Sequence, residues 1–173
     1  INHGTNYDQK TSILLSDSFR NKISDNEIYN VGLGFVLLGE SNNNSIENNT
    51  LEAATTDIEY YSSGTNNTFI NTEIDIVDIL ETSYFEILNY VDIQMYTVNG
   101  PVEGVELNIT TDGNPIFVTE HYSGDDEATL SDGFIGRLFL VNEIYNGDWI
   151  ASKPETVVEY YYDDEGYSYT LDT

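Results

Sequence analysis

One arrangement of apolar and polar residues occurs three times in the first half of the chain. Asn21-Lys22-Ile23-Ser24-Asp25-Asn26-Glu27-Ile28 returns as Asn44-Ser45-Ile46-Glu47-Asn48-Asn49-Thr50-Leu51, then as Asn67-Thr68-Phe69-Ile70-Asn71-Thr72-Glu73-Ile74, each residue 23 positions further on. The same step places Leu14 with Leu37 and Tyr60, Leu15 with Leu38 and Tyr61, and the turn residues Ser18, Ser41 and Gly64 together. Alternation around Ile23, Ile28, Ile46 and Leu51 points one face inward. A repeat of this length holds two or three short strands with turns between them, so equivalent residues lie about 4.8 Å apart in successive turns of a coil. Asparagine at a recurring turn adopts the left-handed conformation, and its amide bonds to the amide one turn above. The predicted ladders are Asn21–Asn44–Asn67 and Asn26–Asn49–Thr72.

After Asp75 the step is lost. Tyr90–Tyr96, Val102–Ile109 and Thr156–Tyr162 alternate in strand fashion, and turn signals such as Asn99-Gly100-Pro101, Asp112-Gly113 and Asp163-Asp164-Glu165-Gly166 separate the runs. Short strands at this spacing predict an antiparallel sandwich. Helix signals are nearly absent; Val77–Leu88 reads either as one helical turn or as paired strands. The fold class is therefore all-β, with a parallel β-helix of about three 23-residue rungs over 1–76 and an antiparallel β-sandwich over 77–173.

The N-x-I-x-x-N-x-I pattern of residues 11–75 resembles the right-handed parallel β-helix repeats of secreted pectate-lyase-like proteins. It is especially similar to the family that includes nitrous-oxide-reductase accessory proteins and many archaeal surface proteins. This resemblance specifies fold well and function poorly. Val98-Asn99-Gly100-Pro101-Val102-Glu103-Gly104-Val105-Glu106-Leu107 resembles the opening of immunoglobulin-like domains, and Leu130-Ser131-Asp132-Gly133-Phe134-Ile135-Gly136 is similar to one of their hairpins. Such domains often follow β-helix repeats in archaeal and bacterial surface proteins, which implies an extracellular, cell-surface location.

Charge then removes whole classes of partner. Formal net charge is −26, from 31 acidic and 5 basic residues, a field that repels nucleic acid and anionic membranes. No apolar run approaches the roughly 18 residues that span a bilayer. The chain has no cysteine, which removes disulfides, thiol catalysis and zinc–thiolate sites. His3 and His121 have no histidine neighbour at ligand spacing. A polysaccharide-cleaving β-helix enzyme needs paired carboxylates, or calcium with a basic residue, on one face. The basic residues are only Lys10, Arg20, Lys22, Arg137 and Lys153, and the aligned repeats show no such cluster. The reading is non-enzymatic.

Calcium, held by acidic turns, is the candidate cofactor. The turns are Asp112 with Asn114, Asp125-Asp126-Glu127 and Asp163-Asp164-Glu165. Four N-x-S/T sequons, at Asn43, Asn48, Asn66 and Asn108, are candidate glycosylation sites. The expected function is self-assembly into a surface layer, sheath or filament through edge strands, with residues 1–10 and 167–173 as the natural donors. The alternative is a carbohydrate-binding adhesin module whose tyrosine-rich strands hold surface polysaccharide.

Overall fold

A computed structural model describes residues 11–29, 31–52, 55–80, 83–147 and 151–171. The chain forms two compact units, one of residues 1–88 with 143–153, the other of 89–142 with 154–173.

The first unit is a stack of parallel strands. In chain order they are β1 (Thr11–Ser16), β2 (Lys22–Ser24), β3 (Glu27–Tyr29), β4 (Leu33–Gly39), β5 (Ser45–Glu47), β6 (Thr50–Glu52), β7 (Thr56–Ser62), β8 (Thr68–Ile70), β9 (Val77–Ile79) and β10 (Tyr84–Val91). Strands β1, β4, β7 and β9 form one sheet, β2, β5, β8 and β10 lie in a second, and β3 pairs with β6 in a third. All these pairings are parallel, the connectivity of a β-helix with three faces. Apolar columns fill its interior: Ile13–Phe35–Ile58–Val77, Leu15–Leu37–Tyr60–Ile79 and Ile23–Ile46–Phe69–Ile87. Most of these side chains are buried. Each fully buried one contributes on the order of 1.5–3 kcal/mol.

The β1–β4 register departs from the constant step. Leu15, not Leu14, lies beside Leu37, a step of 22. Leu14 is 56% exposed and Leu15 only 7%, so the column of Leu14 with Leu37 and Tyr60 is corrected to Leu15–Leu37–Tyr60. The cause is the corner after the strand. Ser16 pairs with Leu38, whereas the Ser18 N–H donates to Ser41 Oγ at 3.2 Å. The first turn of the coil crosses this corner with Asp17 alone where the second uses Gly39 and Glu40. The Asp17 carboxylate fills the gap by accepting the Glu40 N–H at 3.0 Å. In a strand, one residue of offset exchanges the two faces.

The parallel pairing runs on past residue 76 with shorter steps, from Ile58 to Val77 and from Phe69 to Ile87. Residues 71–76 form no strand. There the buried Asp57 carboxylate accepts the N–H groups of Asp75 (2.9 Å) and Ile76 (3.0 Å), which replaces the missing sheet bonds. A later strand, β15 (Leu138–Asn146), lies next to β10. Its Tyr145 stacks on Phe85 at 4.7 Å, and Phe85 stacks on Tyr60 at the same distance. Tyr145 thus closes the aromatic interior at this end. Burial pushes its phenol up to about 12.

The second unit is antiparallel. It contains the small ladder of β11 (Tyr96–Thr97) with β12 (Gly100–Pro101), then β13 (Glu106–Thr111), β14 (Asn114–Val118), a 3₁₀ turn at Glu120–Tyr122, β16 (Thr156–Tyr162) and β17 (Glu165–Leu171). The main sheet has the order β14-β13-β16-β17. Leu107, Ile109 and Val158 are fully buried in its core with Leu140. Two buried threonines complete the backbone bonding. Thr129 accepts from Val105 N–H and donates to the Val102 carbonyl, while Thr119 accepts from Leu107 N–H and donates to the Leu107 carbonyl.

Candidate functional site

The polar ladders are built as columns inside the corners of the coil. Asn67 Oδ1 accepts from the Asn44 N–H (3.1 Å) and from Asn44 Nδ2 (2.9 Å), and Asn44 Oδ1 accepts from Asn21 N–H and Nδ2 at 3.0 and 2.9 Å. Asn49 Oδ1 holds Asn26 in the same way, and Thr72 Oγ1 accepts the Asn49 N–H at 3.3 Å. The residue before each ladder member has positive φ: Arg20, Asn43 and Asn66 at one corner, Asp25, Asn48 and Asn71 at the other. That left-handed step turns the chain and sends the next side chain inward. These columns are structural: Asn44, Asn49, Asn67 and Thr72 are buried and bonded within them.

The sequons fall on the same corners. Asn43, Asn48 and Asn66 are exposed. Asn66 Nδ2 donates to Asn43 Oδ1 at 3.3 Å, and Asn71 Nδ2 to Asn48 Oδ1 at 2.9 Å. The Asn43 and Asn66 side chains are therefore in contact with one another. Asn108 is half-buried, and its Nδ2 donates to Glu159 at 2.6 Å.

The three acidic turns stay separate. Asp112 has φ of 48° and turns the β13–β14 hairpin with Gly113, while its Oδ1 accepts the Glu155 N–H at 2.9 Å; Asn114 begins β14. Asp163 and Asp164, with φ of 54° and 63°, turn the β16–β17 hairpin ahead of Glu165. Asp125, Asp126 and Glu127 line a shallow depression of about 520 Å³ together with Glu106 and Glu120. The Asp126 carboxylate is occupied by the Val118 N–H at 2.6 Å. Among the described residues no group of three or more His, Cys, Asp or Glu is placed to hold a metal ion. The turns at Asp112 and at Asp163-Asp164 serve hairpins, where two successive positive-φ residues match the strand twist, whereas Asp126 sits in an isolated bridge with Thr119.

The two edges of the antiparallel sheet differ. Strand β14 contains Pro115, its pairing with β13 is broken by a bulge at Ile109/Thr110, and Val118 bonds through both its N–H and C=O to Asp126. Proline, bulges and covering segments are the usual protections of an edge. Among the described residues, none of these protections is found on strand β17. It is exposed from Glu165 to Thr170, and Gly166-Tyr167-Ser168-Tyr169-Thr170-Leu171 carries no charge in a chain of net charge −26. Tyr167 and Tyr169 are 48% and 40% exposed. Tyr160 stacks on Tyr167 at 5.1 Å and meets Tyr169 edge-on at 6.3 Å. The Tyr167 phenol donates to the Glu165 carboxylate, which raises its pKa.

The coil accounts for the comparison with known proteins. The profile of one protein family, described as periplasmic copper-binding protein (NosD), matches residues 2–90, slightly over half of the chain. The chain belongs to the NosD family. No curated protein and no solved structure matches it. The expected likeness to nitrous-oxide-reductase accessory proteins is thereby shown, and the family description places such proteins outside the cytoplasmic membrane. No helix among the described residues is long and apolar enough to cross a membrane.

The donors that copper binds most characteristically, imidazole, thiolate and thioether, are scarce in this NosD-family chain. Residues 2–90 contain a single histidine, His3, which lies outside the described residues, and no methionine or cysteine. Beyond them stand only His121, whose ring stacks on Tyr161 at 3.8 Å, and Met95, packed against the apolar core. Among the described residues these donors form no imidazole, thiolate or thioether cluster for copper.

Proposed function

We propose that this NosD-family chain is a non-catalytic structural protein, exported to the cell surface, that self-assembles into a layer, sheath or filament. In this reading the antiparallel unit is an immunoglobulin-like sandwich and the parallel unit a rigid spacer. The observation that carries it is the open edge of β17, uncharged from Gly166 to Leu171, opposite an edge that is blocked. Edges are ordinarily protected because they pair with other chains, so an unprotected one on an otherwise acidic molecule is a place for strand addition. The ladders support the spacer role, since they tie each turn of the coil to the next by side chain as well as backbone.

Electron microscopy of the protein at high salt, with and without calcium or a chelator, tests the reading. Ordered assemblies are expected at high salt, where repulsion is screened. Isolated particles under every condition overturn it. A second reading, a carbohydrate-binding module, is favoured by the exposed Tyr167 and Tyr169 beside the half-buried Tyr160. A screen against neutral and acidic glycans that gives no signal above background removes it.

A further inference from the structure

We infer that β17 pairs with the β17 of a second copy, antiparallel and about a two-fold axis through Ser168, to join two four-stranded sheets into one of eight. The inference rests on the self-assembly reading and names its partner and register.

The backbone pattern fixes which groups are free. Asp163-Asp164 is a two-residue turn with both φ positive, so the flanking pair Tyr162–Glu165 exchanges both backbone bonds, and bonded and non-bonded pairs alternate from there. The register Tyr160↔Tyr167, Val158↔Tyr169 and Thr156↔Leu171 then turns Glu165, Tyr167, Tyr169 and Leu171 toward β16. Gly166, Ser168 and Thr170 turn their N–H and C=O groups away from it. These are the groups a neighbour can use.

A second copy using the same three residues overlaps over the whole strand in one register, with Ser168 opposite Ser168 and Gly166 opposite Thr170. In that register Tyr167 of each copy faces Tyr169 of the other in a non-bonded pair, where side chains stand closest. Each Glu165 faces a Leu171, so within β17 the two carboxylates sit at opposite ends and no like charges are opposed. The edge favours a second copy over a basic partner, because its outward residues Gly166, Ser168 and Thr170 are uncharged and its one acidic residue, Glu165, stands at the end of the strand. The pairing is isologous and closes as a dimer; a longer assembly adds a different contact to it.

The chain has no cysteine, so a single introduced one reports unambiguously. Opposed residues of a bonded antiparallel pair have Cα atoms about 5.5 Å apart, within the range that a disulfide spans. Ser168→Cys oxidised with diamide is expected to run as a covalent dimer, while the exposed control Ser131→Cys stays monomeric. Gly166→Cys and Thr170→Cys each stay monomeric alone and cross-link when mixed. Ser168→Pro removes an outward N–H that the hairpin does not use, so its circular dichroism is expected to match the parent. Light scattering at high salt then gives the mass of one 19.5 kDa chain where the parent gives twice that. A parent that is oligomeric but indifferent to Ser168→Pro, with no cross-link at Ser168→Cys, overturns the β17 pairing and leaves self-assembly standing. A parent monomeric at every concentration and salt overturns both.

Discussion

Replacing Asn67 by alanine tests whether the inner ladder holds the coil together or merely lines it. The Asn67 side chain is 2% exposed and makes four hydrogen bonds: it accepts from Asn44 N–H and Nδ2, and donates to the Ser41 carbonyl (2.7 Å) and the Tyr60 hydroxyl (2.6 Å). After substitution Asn44 Nδ2 keeps the Ser18 carbonyl, and Ser41 O keeps the Ser62 hydroxyl. The buried Asn44 N–H is left without its acceptor, at a cost of about 1–3 kcal/mol, and the other lost bonds add about 0.5–1.5 kcal/mol each. Because two of the former partners retain a bond, we expect a total of about 3 kcal/mol. For a chain of this size that corresponds to a fall in Tm of about 6–12 °C.

The comparison is Asn21→Ala at the exposed end of the same ladder. It removes one side-chain donor, and Asn44 Oδ1 keeps the Asn21 N–H, so the expected cost is below about 1 kcal/mol. Urea unfolding followed by circular dichroism gives both values, and hydrogen exchange of the peptide containing Asn44 locates the loss. If Asn67→Ala costs no more than Asn21→Ala, the ladder contributes geometry without stability, and the accounting above is refuted.

Further expectations follow from local electrostatics, sterics and donor chemistry. Glu59 lies beside Asp78 in the parallel register, and burial together with that neighbour raises its pKa. A raised carboxyl favours the fold below its ordinary pKa, and that advantage is lost as pH rises through the folded-state value. Glu59→Gln is therefore expected to stabilise by about 0.2–1 kcal/mol at pH 7 and to change little at pH 4, read from urea midpoints. Glu47 behaves oppositely: the Lys22 ammonium and the Ser45 hydroxyl lower its pKa, so its contribution is complete above the ordinary carboxylate range and is lost as pH falls through the lowered value. With Lys22 largely exposed, Glu47→Gln is expected to cost about 0.2–1 kcal/mol at pH 7. At Gly64 an added Cβ meets the Ser41 carbonyl oxygen at 1.7 Å; Gly64→Ala is expected to abolish cooperative unfolding of the coil or lower its Tm by more than Asn67→Ala does. Titration with Cu(I) against a chromophoric chelator is expected to leave the metal with the chelator, and stoichiometric capture would show that the donors counted here are incomplete.

The ladder corners were legible because few residues satisfy both demands made there. A left-handed residue followed by an inward amide at a fixed step points to asparagine, and the step stayed constant from Lys22 to Ser45 to Thr68. The facing of β1 was not legible, because one missing residue beside Asp17 exchanges Leu14 and Leu15 between surface and interior. The end of the coil was hidden for a different reason. Val77–Ile79 and Phe85–Leu88 stack as the earlier strands do, but their shortened steps erase the repeat. Tyr145 arrives from a distant part of the sequence with no pattern to announce it. The acidic segments were legible as turns; that two of them turn hairpins and that backbone donors claim Asp112 and Asp126 emerges only from the structure. That β17 is an edge, and that Pro115 blocks the other one, depends on strand order, which alternation does not encode.

The shortening steps also set where this coil can change in length. Beyond β6 the third face has no strand to continue, and beyond β10 the interior is closed by a tyrosine, so a further repeat has nowhere to attach at that end. Between β4 and β7 the situation is reversed: a duplicated block of 23 residues presents the same corners, columns and ladder partners above and below. Tandem duplication there would lengthen the rod by about 4.8 Å per copy without a new junction. Reach thereby becomes a quantity that recombination can adjust in whole increments while the tyrosine-closed end stays as it is.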